Sequence, residues 1–149
     1  MSEATTEFVT VQIGEQWFGI PINRVHDVFR PQRLTRVPLS HPNIAGVLNL
    51  RGRIVTMIDC RSRLGLGPRA AETVPMAAGV ERNGEFYGLV IDAVGEVLSL
   101  SPSAMGANPV NLDPKWRAIS KGVYRLEGRL LVVLDVDALL DFTNKREAA

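Results

Sequence analysis

Only one cysteine, Cys60, stands among the 149 residues, so no disulfide can close within the chain and a cysteine-built metal site cannot be assembled. An excess of either charge is also missing: 17 Lys and Arg face 16 Asp and Glu. Such a balance supplies no field to hold nucleic acid or an anionic membrane surface. No run of about 18 apolar residues is present to span a bilayer, and the opening MSEATTE has neither the basic nor the apolar region of a secretory leader. A cytoplasmic protein with no direct membrane insertion is expected. His26 and His41 have no second ligand at helical spacing, which argues against a metal. Gly65-Leu66-Gly67 lacks the lysine and hydroxyl residue of a phosphate loop, and no G-x-G-x-x-G opens a helix. No catalytic residue, metal or cofactor is expected, and an enzyme or small-ligand protein has no constellation to work with.

What is present is a globular composition, 46% hydrophobic and 22% charged, in a chain of single-domain length. β-Branched and aromatic runs broken by turn residues predict hairpins: Phe8 to Ile22 with its break at Gly14–Gln16, Gly46 to Ile58 around Arg51-Gly52, Val74 to Ile91 around Asn83-Gly84, and Lys121 to Leu134 around Glu127-Gly128. Asn-Gly is a strong hairpin signal. Pro31, Pro38 and Pro42 mark an irregular excursion, with a short strand expected near Leu34–Val37. Short helical turns are expected after Asp59 and Asp135. The stretch GPRAAET from Gly67 reads as an internal linker, because Gly-Pro stops a helix and no periodicity follows.

The chain also repeats itself. Trp17–Val28 (WFGIPINRVHDV) falls on Phe86–Val97 (FYGLVIDAVGEV), and Gly46–Leu64 on Gly122–Leu140. The second overlay is shifted seven residues further than the first, which the longer SPSAMGANPVNLDPK connection absorbs. Two β units of one design follow each other, giving two small lobes.

The duplication is an internal control, because a residue type shared by both copies serves the shared fold. Asp59 and Asp135 are read as helix caps. Cys60 matches Val136 and is read as a core thiol despite Arg61 and Arg63 nearby. Trp17, Phe18, Phe86 and Tyr87 occupy equivalent places and suit lobe cores. The copies differ at one hairpin tip, Arg51 against Glu127, each before a glycine that sets the turn. Arg51 is either a recognition group, its planar donors beside apolar Leu50 and Ile54, or a solvated surface charge.

The stretch GVLNLRGRIVTMIDCRSRLGL, with WFGIPINRVHDVFRPQRLTRVP before it and FYGLVIDAVGEVLSLSP after it, resembles the chemotaxis coupling family of CheW-like domains over Glu7–Phe142, with N-L-R-G-x-I-V-x-x-I-D as its signature. Thr56 stands where that family usually has proline and Cys60 where it commonly has leucine. The resemblance implies one all-β domain over 7–142 with a few short helices and tails at 1–6 and 143–149. That domain would hold two intertwined five-stranded SH3-like β-barrel lobes sharing a hydrophobic core. It implies a non-catalytic adaptor that binds the regulatory domain of a CheA-type histidine kinase and the cytoplasmic tip of chemoreceptors, in membrane-associated or cytoplasmic receptor arrays. Carried over by position, kinase binding falls on Val25, Asp27, Val28 and Gly46, and receptor binding on Arg51, Ile54, Val94 and Val97 in a groove between the lobes. Val25 and Val94 are equivalents in the duplication, so each is either interface or lobe core. A CheW-like scaffold for a surface-motility or second-messenger pathway is the alternative role, and the residues do not separate the two.

Overall fold

The architecture is a computed structural model that describes residues 4–32, 34–38, 41–70 and 72–141. Strands β1 (Thr6–Ile13) and β2 (Gln16–Pro21) form the first hairpin, and a 3-10 turn at Ile22–Arg24 leads to β3 (Asp27–Phe29). The second hairpin pairs β4 (Ile44–Leu50) with β5 (Arg53–Asp59), which runs into α1 (Cys60–Arg63). Strands β6 (Met76–Arg82), β7 (Glu85–Ile91) and β8 (Ala93–Leu100) follow, then α2 (Pro114–Arg117), β9 (Ser120–Leu126), β10 (Arg129–Leu134) and α3 (Val136–Leu140). All four expected hairpins are present. Thr6, placed in a tail from the sequence, opens β1, whereas residues 1–3 and 142–149 lie outside the described residues. The strand expected near Leu34–Val37 shrinks to one bridge, Thr35 to Val47, because a segment carrying three prolines has few amide donors to extend a ladder.

The two sequence halves do not fold into one lobe each. One five-stranded sheet has the order β8-β1-β2-β10-β9 and the other β3-β6-β7-β5-β4. Parallel pairing is what exchanges the hairpins. Strand β2 runs parallel to β10, with Trp17 opposite Leu131, and β7 runs parallel to β5, with Phe86 opposite Val55. A tight turn cannot join parallel neighbours, so each sheet takes its central hairpin from one half and its other three strands from the other. Residues 27–91 therefore form a contiguous inserted lobe, inside a split lobe built from the chain on either side. The internal linker expected at Gly67–Thr73 falls between α1 and β6, within the inserted lobe. The chain crosses between lobes at Ile22–His26 and at Asp92.

Each sheet closes around its own interior. Phe29, Leu48, Val55, Met57, Ala77, Phe86 and Val90 form one cluster to which all five strands of the inserted lobe contribute. Edge strands β3 and β4 can share a cluster only if the sheet curls into a barrel. In the split lobe, Phe8, Trp17, Leu98, Tyr124, Leu131 and Val133 do the same. Between the barrels lies a third cluster fed by both, with Val11, Ile13, Phe18 and Ile20 meeting Ile58, Cys60, Leu89, Ile91, Leu134 and Leu139. The four aromatics divide between these cores: Phe18 and Tyr87 in the shared cluster, Trp17 and Phe86 in the lobe interiors under Arg129 and Arg53, whose guanidinium carbons lie 5.2 and 3.9 Å from the ring centroids.

The helix caps are as read: Asp59 Oδ1 accepts from the Ser62 amide at 3.1 Å and Asp135 Oδ1 from the Ala138 amide at 3.1 Å. The second crossing is pinned by a carboxylate. Asp92, its side chain 9% exposed, accepts from the Gly14 amide at 2.7 Å, Arg61 Nη2 at 2.9 Å and Arg69 Nε at 2.7 Å. Burial pushes this carboxyl up, but the hydrogen bonds from Arg61, Gly14 and Arg69 outweigh it and hold the group below the usual carboxylate range. A depressed pKa contributes stability above the ordinary carboxylate value of about 4 and loses it as pH falls through the lower folded-state value. Asp92→Asn should therefore flatten the acid limb of a stability-against-pH curve; an unchanged limb contradicts the assignment. Asp59→Ala and Asp135→Ala should each lower urea-unfolding stability by about 1 kcal/mol, and an unchanged midpoint would remove the capping role.

Candidate functional site

The two hairpin tips matched by the duplication are not the same turn. Arg51 has φ 53° and Gly52 φ 83°, the pattern of a type I′ turn, and the Gly52 amide donates to Asn49 Oδ1 at 2.8 Å. At the other tip only Gly128 is left-handed, and Glu127 is not. A left-handed arginine costs on the order of 1 kcal/mol that asparagine largely avoids, and Asn83 fills the same place in the Asn83-Gly84 turn of this chain. The fold would tolerate asparagine better at position 51.

The guanidinium has a defined partner. Arg51 Nη2 donates to Asp27 Oδ2 at 2.6 Å, while its side chain remains 74% exposed. Strand β3 is one edge of the inserted lobe and β4 the other, so this ion pair bridges the seam where the barrel closes. Gly79, opposite Asp27 on β6, makes room: a Cβ there would collide with Asp27 Oδ1. The split lobe has Glu96 and Glu127 at the matching positions and cannot form the pair. Two residues assigned from the sequence to different partners, Asp27 to the kinase and Arg51 to the receptor, thus touch.

Around the seam lies a cavity of about 360 Å³ whose walls include His26, Phe29, Leu50, Arg53, Val55 and Phe86. Beside it a groove of about 520 Å³ runs past Arg30, Thr35, Val47, Asn49 and Ile54. Two large apolar side chains stand in solvent nearby in the fold, Val28 at 39% exposure on edge strand β3 and Ile54 at 63% on β5. Val97, the equivalent of Val28, is 48% exposed on β8, the matching edge of the split lobe.

The remaining expected site residues serve the fold as well. Val25 and Val94 both pack, half-buried, against the shared central cluster. Gly46 is buried with φ 153°, and a Cβ there would meet the Thr35 carbonyl oxygen at 2.7 Å. Gly122 repeats this with φ 152° and the Gly106 oxygen at 2.8 Å, so both copies need glycine where the excursion crosses the strand. The groove expected between the lobes draws Arg51 and Ile54 from the inserted lobe and Val94 and Val97 from the split lobe. The two cavities that take in Arg51 and Ile54 are lined by the inserted lobe and by His26 at the end of the first crossing, with no described residue of the split lobe.

Cys60 is fully buried, and burial pushes its thiol well above the ordinary range, which suits a core residue and not a nucleophile. His26 Nε2 lies 3.3 Å from Glu81 Oε1 and its ring is edge-on to Phe86. His41 Nδ1 accepts from the Asn43 amide at 3.0 Å. Among the described residues no group of three or more His, Cys, Asp and Glu side chains is arranged to hold a metal. No described helix is long and apolar enough to cross a membrane. Asp27 and Arg51 were both singled out in the sequence, but nothing there pointed to their pairing, and the node at Asp92 carried no signal beyond its charge.

Arg51→Asn relieves left-handed strain and gives up an exposed ion pair worth at most about 1 kcal/mol. Its melting temperature should be equal to or above that of the parent; a clear drop would show that the seam pair holds the barrel closed.

The family model for the CheW-like domain matches residues 7–143. The chain is 27% identical over 150 residues to the probable chemotaxis protein CheW of Rhizobium etli, covering 99% of this chain and 96% of that protein. It is 26% identical over 149 residues to the chemotaxis protein CheW of Thermotoga maritima, covering 99% and 97%. The crystal structure of the scaffolding protein TtCheW from Thermoanaerobacter tengcongensis superposes with a TM-score of 0.83 at 26% identity, covering 93% of this chain and 90% of that one. A duplicated pair of barrels around a shared core, matched over nearly its whole length, makes this chain a member of the CheW-like domain family.

Proposed function

We propose that the chain is a cytoplasmic, non-catalytic adaptor that couples chemoreceptors to a CheA-type histidine kinase. The observation that carries this reading is the divergence between the copies. Where the split lobe has Glu96 and Glu127, the inserted lobe has an Asp27–Arg51 pair with the arginine exposed, left-handed and close in sequence to exposed Ile54. Non-glycine residues are held in left-handed backbone where a surface has a use for them. Exposed apolar side chains rimmed by charge are the ordinary make-up of a docking face.

In this reading the kinase regulatory domain docks along β3 through Val28 and Asp27, with Val25 just before that strand and Gly46 on the other edge strand, β4. The receptor tip engages Arg51 and Ile54, with Val94 and Val97 contributed by the split lobe. Binding two partners at once raises the effective concentration of receptor at the kinase, and a rearrangement of one can then bias the other. The chain itself turns over no ATP.

Val28→Asp should remain folded, because the side chain is already exposed, and should weaken binding of a CheA-type regulatory domain by about 2 kcal/mol in calorimetry. Unchanged affinity would remove Val28 from the interface. Arg51→Glu should cost receptor-tip affinity on the order of 2 kcal/mol, whereas Glu127→Arg should cost little. Equal behaviour of the two variants would leave Arg51 a solvated turn residue.

A further inference from the structure

The two places where the chain passes between lobes are both tied by an ion pair to the helical turn that follows a barrel strand, with the charges reversed. At the second crossing Arg61 of α1 holds Asp92; at the first, Asp137 of α3 is held by Arg24, with Nη2 to Oδ1 at 3.0 Å. Position 61 matches position 137 in the duplication. The two ties are far from equal. Asp137 is 57% exposed and a second cationic neighbour, Arg82, stands 3.9 Å away. Asp92 is 9% exposed and gathers three elements: the β1–β2 turn of the split lobe through the Gly14 amide, α1 through Arg61, and the β5–β6 linker through Arg69. Arg61 also donates to the Gly67 carbonyl at 2.8 Å, which draws the linker to the same point. The next residue after Asp92 begins β8, the edge strand that carries Val94 and Val97.

We propose that Asp92 is a positioning residue that fixes strand β8 of the split lobe against the inserted lobe, so that the exposed edge at Val97 and the Asp27–Arg51 seam keep one relative placement. The carboxylate receives donors from both lobes at the residue where the backbone changes lobe. Replacing it takes the carboxylate from the Arg61 and Arg69 guanidinium groups, leaving Arg61 its bond to the Gly67 carbonyl, and loosens the tie of Gly14 to the crossing. The shared core still holds the lobes together, while the angle at the crossing is no longer set. The exposed Arg24–Asp137 pair lacks the burial to do the same. The signalling consequence rests on the adaptor reading: a receptor site divided between the two lobes transmits a rearrangement only if those lobes move as one piece.

The test is amide hydrogen exchange on the full chain, which needs no partner. In Asp92→Asn, exchange at Gly14, Ala93 and Val94 should accelerate at least about tenfold, while the β5–β7 ladder keeps its rates, since local opening is read separately from global unfolding. Arg69→Gln should accelerate the same amides by a smaller factor, and remains informative if Asp92→Asn folds poorly. Asp137→Asn should leave them within about twofold of the parent. Parental rates at Gly14, Ala93 and Val94 in Asp92→Asn, or an equal effect of Asp137→Asn, would overturn the proposal, as would a uniform acceleration through both sheets in Arg69→Gln. In arrays reconstituted with a CheA-type kinase and a receptor-tip fragment, Asp92→Asn should bind the kinase domain with parental affinity, bind the receptor-tip fragment more weakly and lose most kinase activation. Parental activation would overturn the positioning role, whereas failure of the parent chain to bind either partner would instead refute the adaptor reading and leave the exchange result standing.

Discussion

Burial of one apolar cluster shared by both barrels is the constraint on which the rest of the molecule depends. Each five-stranded sheet has a filled interior of its own, yet it leaves a second apolar face that water would penalise. Val11, Ile13, Phe18 and Ile20 from the split lobe close on Ile58, Leu89 and Ile91 from the inserted lobe. At about 25 cal/mol per Å² of apolar surface, a contact made by some twenty buried residues dominates the energetics. Neither lobe can be expected to stand alone, even though residues 27–91 are contiguous. The ion pairs at the crossings orient two bodies that this core has already joined.

The duplicated design separates what the fold demands from what one copy alone carries. Glycine recurs at Gly46 and Gly122 because a carbonyl passes within 2.8 Å or less of where a Cβ would stand in each. Arginine recurs over an aromatic ring at Arg53 and Arg129, and aspartate recurs as a helix cap. None of these distinguishes one lobe from the other. The Asp27–Arg51 seam does, and so does the reversal of charge at the crossings. A carboxylate pair at Glu96 and Glu127 leaves the split lobe's seam without an electrostatic closure, while the inserted lobe has one that remains accessible to a partner.

Much of this was legible in the sequence because it rests on local signals. Turn residues located the four hairpins, and aspartate at a strand-to-helix junction located the caps. The repeat itself announced two lobes of one kind; of the aromatic pairs at 17–18 and 86–87 read as lobe cores, Trp17 and Phe86 lie in lobe interiors and Phe18 and Tyr87 in the shared cluster. What was not legible is long-range. Which hairpin joins which lobe is decided by the parallel pairing of Trp17 with Leu131 and Phe86 with Val55, and no local pattern reports a parallel neighbour distant in sequence. Asp92 stayed hidden for the same reason, since its partners Gly14, Arg61 and Arg69 converge only in the folded chain. The left-handed backbone at Arg51 was partly foreshadowed by the Gly52 turn, but the difference from Glu127 was not.

The central claim is that one chain holds a kinase regulatory domain and a receptor tip together, through surfaces that meet at the Asp27–Arg51 pair. Touching sites can be occupied jointly or can exclude each other, and sedimentation velocity distinguishes the two. With the chain, a CheA-type regulatory domain and a receptor-tip fragment mixed above their dissociation constants, the account predicts a single boundary at the mass of the ternary complex. Two binary complexes that compete, with the receptor fragment displacing the kinase domain, would contradict it.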